Sequence, residues 1–216
     1  MRYLLVFLAV CAALWGAQIL PAAYITYKYR PLTLAIQQQK PIENTTLENA
    51  IKDYRAVSPF TFCYADFYRE LSVFYMMRFA TLDTQHEITQ QEGILSDAMD
   101  AIDHHLHCQL KDANGWLNKA FIQVYQSGFN NDALNAYKKS VRTAPREAWL
   151  AEKRTRFALD FFPLFDHEAQ SMAIGDVETL KTSFTSRRRR ILEQTGAESL
   201  EALQNAMKEA TTTNLN

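Results

Sequence analysis

The sequence predicts an all-α protein, with one apolar N-terminal helix followed by a run of helical hairpins. Three observations predict it. Residues 3–27 contain no charged side chain. Beyond them, apolar residues recur at three- and four-residue steps, which is the spacing of one helix face. The 216 residues include only six glycines and six prolines, and Ala, Leu, Gln, Glu and Lys dominate over Val and Ile, a mix that favours helix over strand. No alternating apolar and polar run lies between hairpin turns, so no sheet is expected. A net charge of −1 with 48% hydrophobic and 22% charged residues excludes disorder and any nucleic-acid binding that rests on basic excess.

The first element is an anchor over 1–30. Arg2 precedes the uncharged run, and Lys28 and Arg30 follow it. The run is long enough for a membrane-spanning helix, which needs about 20 apolar residues. Tyr24, Tyr27 and Tyr29 stand at its far end, where amphipathic rings favour a membrane interface. The competing reading is a cleaved signal peptide. Its cleavage sites are poor: the small-x-small site Cys11-Ala12-Ala13 comes too early, and Ala17 and Ala23 have Trp15 and Pro21 at their minus-three positions. Leu8-Ala9-Val10-Cys11 approximates a lipoprotein box, but Val10 is large where a small residue is needed.

Residues 31–43 read as a polar connector, and 44–210 as one helical domain before a frayed tail at 211–216. Thr45 and Glu48 have capping-box spacing, with Leu47, Ile51 and Tyr54 on one face. Ser58-Pro59 predicts the start of a helix that carries Phe60, Tyr64, Phe67, Leu71 and Phe74. Its partner runs from about Thr84 to Gln109, striped by Ile88, Leu95, Met99, Ile102, Leu106 and Leu110. The turn between them, Leu82-Asp83-Thr84, makes the two antiparallel.

A second hairpin spans Gly115 to Glu147. Asp112 is its predicted N-cap. Leu117, Ala120, Phe121 and Val124 form its first inner face, Gly128 ends the first helix, and Ala133, Leu134, Tyr137 and Val141 form the second face. Pro145 is expected to start the next helix and Pro163 to end it. Then follow a short helix over 164–173, a helix capped by Gly175-Asp176 that carries Val177, Leu180, Phe184 and Ile191, and a last helix striped by Leu200, Leu203 and Met207.

Gly128, Ala133, Tyr137, Ser140 and Pro145 resemble the second half of a tetratricopeptide repeat in identity class and spacing, and Trp116 and Trp149 stand 33 residues apart, close to the period of that repeat. The first half departs from the pattern, with Phe121 where a small residue belongs. A wider set resembles small membrane-anchored tetratricopeptide-like proteins associated with bacterial exopolysaccharide biosynthesis: the leading apolar segment, Ser58-Pro59 with Cys63, Cys108, Asp112 with Gly115-Trp116-Leu117, and Ala144-Pro145-Arg146-Glu147 with Trp149. The resemblance implies a TPR-like bundle or short solenoid and a role in envelope polysaccharide assembly. It supplies no catalytic residues.

Cys63 lies near the start of one helix and Cys108 near the end of its antiparallel partner. They read either as a disulfide, which requires an oxidising compartment, or as two separate buried thiols. His104 and His107 share a helix face near Cys108 and are weak metal candidates; a polar helix end is the simpler reading, and no metal or other cofactor is expected. Arg187, Arg188, Arg189 and Arg190 form a candidate surface for anionic lipid or acidic polysaccharide, against the plainer reading of a solvated face. No phosphate-binding loop, nucleophile elbow or supported triad occurs, so no enzyme is expected.

The expected function is a non-enzymatic adaptor, anchored by one pass in a bacterial inner membrane with its body in the periplasm. Its partners would be other envelope proteins, polysaccharide-assembly machinery among them, bound in a groove near Tyr125, Tyr137 and Trp149. Lys28 and Arg30 against Arg2 argue instead for a cytoplasmic body. In that alternative the arginine run grips anionic lipid or regulates a membrane complex.

Overall fold

A computed structural model describes residues 2–61, 63–82 and 88–182. Their regular structure is all helical, with no strand among them. The chain forms two compact units, Met1–Leu110 and Lys111–Asn216.

The first unit begins with α1, Arg2–Gln37, which runs on through Pro21 and Pro31. The polar connector expected from residue 31 is thus helical as far as Gln37. The reason is tertiary. Ala22, Ile25, Tyr29 and Leu32 are all buried, at steps of three and four, and so form one seam that overrides the local cost of proline. Earlier in the helix the apolar side chains are bare: Tyr3, Leu4, Val6, Phe7, Leu8, Val10, Trp15 and Leu20 are each more than half exposed. Gln39, at φ 54°, ends the helix in the left-handed region. The Lys40 amide reaches the Ala35 carbonyl and the Gln39 amide that of Ile36, each at 3.0 Å, the bond pair of a Schellman stop.

Helix α2, Asn44–Val57, buries Leu47, Ala50, Ile51 and Tyr54. The expected capping box does not form. The helix starts one residue before Thr45, its N-cap is Glu43 without a side-chain cap bond, and Glu48 instead pairs with Arg78 at 2.9 Å. The expected start at Ser58-Pro59 is also corrected: those residues make a three-residue 3-10 turn, Ser58–Phe60, and the chain then extends at Thr61. Helix α3, Ala65–Ala80, begins five residues later than Phe60 and buries Phe67, Tyr68, Leu71, Phe74 and Tyr75. The Tyr68 hydroxyl donates to the Thr61 carbonyl at 2.8 Å and holds the extended link in place.

Helix α4, Ile88–Cys108, buries Leu95, Ala98, Ile102 and Leu106 and packs on α3. His105 touches Ala65 at the start of α3, and Arg55 in α2 meets both Tyr75, in the second half of α3, and Asp97 in α4. α3 and α4 are therefore antiparallel, as the sequence predicts. Asp83 and Thr84 of the predicted turn lie outside the described residues.

In the second unit Asp112 caps α5, Ala113–Ser127, accepting from the Asn114 amide at 2.9 Å. Gly128 stops the helix at φ 74°. Its ψ of 177° is extended rather than the ψ of a left-handed helical cap. Asn130 then caps α6, Asn131–Thr143, accepting from the Asp132 and Ala133 amides at 3.0 Å. The three-residue link folds α5 and α6 into an antiparallel hairpin.

Helix α7, Ala148–Phe161, starts three residues after Pro145, with Glu147 at its N-cap. Pro163 sits within a 3-10 turn, Phe162–Leu164. The two short helices expected next are one: α8, His167–Thr182, runs straight through Gly175 and Asp176. Tyr137, Phe157 and Phe165, with Leu117, Leu134 and Leu150, form the core of this unit. Tyr137 stacks on Phe157 with ring centres 5.5 Å apart. The expected helix over 198–207, the tail and residues 187–190 lie outside the described residues.

Candidate functional site

Cys63 and Cys108 are joined by a disulfide, with their Cα atoms 5.2 Å apart. The bridge closes the link between the 3-10 turn and α3 onto the last residue of α4. Spanning 45 residues, it stabilises the unit by about 4 kcal/mol in the chain-entropy model.

Two of the histidines beside the bridge, His104 and His105, are tied into the fold. His105 is fully buried and its Nδ1 lies 2.9 Å from the Ala65 carbonyl, so that nitrogen carries the proton and donates. His104 stacks on Tyr68 at 5.0 Å and its Nδ1 meets the Asp100 carbonyl at 2.9 Å. His107 is exposed. Among the described residues no group of three or more His, Cys, Asp or Glu side chains is placed to hold a metal ion, and Cys108 is committed to the bridge.

The three residues expected to line one groove are not brought together. Tyr137 is fully buried, whereas Tyr125 is 55% and Trp149 40% exposed. Tyr137 is a core residue because its ring fills the space between Phe157 and Phe165. Lys153, one turn beyond Trp149, donates to Asn114 at the start of α5. Tyr125 sits at the other end of that helix, about 16 Å along it at 1.5 Å per residue. Trp149 therefore belongs to one end of the hairpin and Tyr125 to the other. Trp116 is half-buried, with the Lys139 ammonium 4.2 Å from its ring centre.

Sequence reading missed the polar heart of each unit. In the second unit, Arg154 and Asp176 form an ion pair with side chains 0% and 1% exposed. The guanidinium donates to both carboxylate oxygens, at 2.9 and 2.6 Å. It also donates to the carbonyls of Ser140 and Ala144, at 3.2 and 3.1 Å, at the end of α6, where carbonyls run out of intrahelical donors; Ser140 there also accepts from the Ala144 amide at 3.3 Å. One cation thus caps α6 and ties it to α7 and α8. Burial pushes the Asp176 carboxyl above its ordinary value, and the bonds from Arg154 oppose that rise. The Tyr137 hydroxyl makes no hydrogen bond of standard geometry, although the Asp176 charge adds to the burial that raises it. The signal for this pair is in the sequence: Arg154 interrupts the stripe Leu150, Phe157, Ala158, and Asp176 the stripe Ala169, Ala173, Val177.

On the surface of the same unit, Lys138 Nζ lies 2.5 Å from Asp166 and 2.9 Å from Glu168, and Arg142 pairs with Glu168. In the first unit, the Tyr54 hydroxyl donates to Glu70 at 2.5 Å. Burial raises the Glu70 carboxyl despite that bond. Asp53 accepts from Lys28 at 2.6 Å and from the Tyr29 hydroxyl at 2.7 Å, which fastens α1 to α2. Each of these arrangements is closed on itself, and its chemistry is that of a brace between helices.

No protein-family model matches the chain, and no curated protein matches it. Helix α1 is the one described helix long and apolar enough to cross a membrane.

Proposed function

We propose that this protein is a non-enzymatic adaptor held in a bacterial inner membrane by α1, with its helical body on the periplasmic side and envelope proteins, polysaccharide-assembly components among them, as its partners. The observation that carries the reading is the division of α1. Its first part exposes a continuous apolar surface, while Ala22, Ile25, Tyr29 and Leu32 are built into the core of the first unit. A helix made this way couples a folded body to a bilayer without a flexible linker. The Cys63–Cys108 bridge supports the oxidising side, since disulfides do not persist in a reducing cytosol. The α5–α6 hairpin supports a tetratricopeptide-like unit, a scaffold that presents side chains to other proteins, and Tyr125 and Trp149 are its exposed aromatics.

Two measurements test this reading. In intact cells, Cys63 and Cys108 should resist alkylation until a reductant is added; free reaction of both thiols would place the body in the cytoplasm. Photo-cross-linking from positions 125 and 149 should each yield discrete envelope-protein adducts. A lack of adducts at both positions would remove the adaptor role.

A further inference from the structure

The Cys63–Cys108 bridge joins two sulfurs in unlike settings. Cys63 is exposed, whereas Cys108 is half-buried. Cys63 lies in the link between the 3-10 turn and α3, between Thr61 and Tyr64, whose backbones are not helical. Cys108 is the last residue of α4. The helix ends separate the two sulfurs further. Cys63 stands just before the N-cap of α3, on the positive side of that helix's dipole, which favours a thiolate. Asp66, in the first turn of α3, pairs with Arg69 at 2.8 Å, which offsets its charge. Cys108 stands at the negative end of α4, which disfavours a thiolate. Access and thiolate fraction are what make a cysteine react with a disulfide, and both are greater at Cys63.

The fold also holds the second thiol ready. The Tyr68 hydroxyl donates to the Thr61 carbonyl at 2.8 Å, and its ring stacks on His104 with centres 5.0 Å apart. His105 Nδ1 reaches the Ala65 carbonyl at 2.9 Å. These contacts tie the link, α3 and the last turn of α4 together without help from the sulfur–sulfur bond. They keep Cys108 beside Cys63, whose Cα atoms are 5.2 Å apart in the bridge. A sulfur held this way attacks its neighbour at an effective concentration far above that of any free thiol.

We propose that Cys63 is the sulfur through which the bridge is made: its thiolate is what a thiol–disulfide oxidoreductase engages, and Cys108 resolves the mixed disulfide that results. The Cys63 thiolate attacks one sulfur of the oxidant's disulfide, forms a bond to it and expels the other as a thiolate. The Cys108 thiolate then attacks Cys63 Sγ, forms the bridge and expels the first. The two cysteines lose two electrons to the oxidant, whose disulfide becomes two thiols, and their two protons go to solvent. The inference stands apart from the adaptor reading and needs only the bridge.

The test uses the full chain in detergent with Cys11→Ser, which leaves these two of the three cysteines. The reduced protein is treated with substoichiometric iodoacetamide and mapped by peptide mass, once in buffer and once in denaturing urea. Label at Cys63 is expected to exceed label at Cys108 several-fold in buffer, and the two should even out in urea. Adding Cys108→Ser or Cys63→Ser isolates each thiol in turn. With glutathione disulfide as the oxidant, intact mass should show the mixed disulfide forming several-fold faster at Cys63. Equal labelling in buffer, or faster reaction at Cys108, would overturn the proposal. A preference for Cys63 that persists in urea would overturn its basis in the fold. The labelling leaves both cysteines in place, so it decides alone if a serine variant does not fold.

Discussion

At the scale of single residues, the second unit depends on a cation that its core cannot lose. Arg154 is surrounded by the Asp176 carboxylate and the carbonyls of Ser140 and Ala144. Removing it leaves the buried Asp176 charge without its partner and takes a donor from the Ser140 and Ala144 carbonyls, of which Ser140 keeps the Ala144 amide. Arg154→Met should therefore cost about 3–5 kcal/mol, the range for breaking one side of a buried pair, read as a lowered urea midpoint. Arg154→Met with Asp176→Leu should recover part of that loss, because an apolar replacement leaves no orphaned carboxylate. If the double variant were no better than the single one, the carbonyl bonds rather than the ion pair would be the main term. Tyr137 makes a different case. Its ring is packed on all sides but its hydroxyl lacks a well-formed hydrogen bond, so Tyr137→Phe should change stability by less than about 1 kcal/mol, whereas Tyr137→Ala should cost about 3–5 kcal/mol. Tyr137 was legible on the inner face of α6, yet its match to a repeat pattern also drew a binding role, while Arg154 and Asp176 are charges on apolar stripes, visible in the sequence but not pairable without the three-dimensional arrangement.

At the scale of elements, the local signals that proved legible were those whose geometry closes within a few residues. Asp112 caps α5 because its carboxylate needs only the amide two positions on, and Gly128 stops that helix because its positive φ is available to glycine without strain. Thr45, Ser58 and Pro145 carry equally good local signals, yet α2, α3 and α7 start elsewhere. There burial chose the boundary: Tyr68 and the bridge hold an extended link where a helix start was expected. The tie between α6 and α8 shows how such packing responds to pH. Lys138 depresses the Asp166 carboxyl, aided by the Ala169 amide, and Arg142 and then Lys138 depress that of Glu168. Depressed acids contribute stability above their unfolded values near 4, and lose it as pH falls through the lower folded values. Lys138 is raised, chiefly by Asp166, so its share is present below about pH 10 and lost as pH rises through its folded value. The difference in urea midpoint between wild type and Asp166→Asn/Glu168→Gln should be positive at neutral pH and vanish on acidification. A difference that grows in acid would mean the tie is not electrostatic. Glu70 has the opposite sign: burial raises it, so its relative contribution is present in acid and lost as pH rises, and wild type minus Glu70→Gln should slope the other way.

At the scale of the whole molecule, fold class and the apolar first helix were legible because both follow from composition and period. The reach of α1 was not. Nothing local marks residues 31–37 as helix, since the reason is a seam of four side chains whose partners lie on other helices. That seam bears on a question the sequence posed about processing. A peptidase cutting near Ala17 or Ala23 must open the chain locally, and here both positions lie within one continuous helix, Ala23 beside Ala22 and Ile25, 0% and 8% exposed. Opening it would also strain the Lys28 and Tyr29 bonds to Asp53. The chain should therefore keep its N-terminal segment: intact mass of protein purified from membranes should include residues 2–21, and the protein should stay with the membrane through an alkaline carbonate wash. Tyr29→Ala with Asp53→Ala removes the fastening and leaves the apolar run untouched, so it should raise the fraction cleaved near Ala23 if packing is what protects that site. Wild-type protein already shortened at Ala17 or Ala23 would show that packing does not protect those sites, and that α1 is not what holds the body to the membrane.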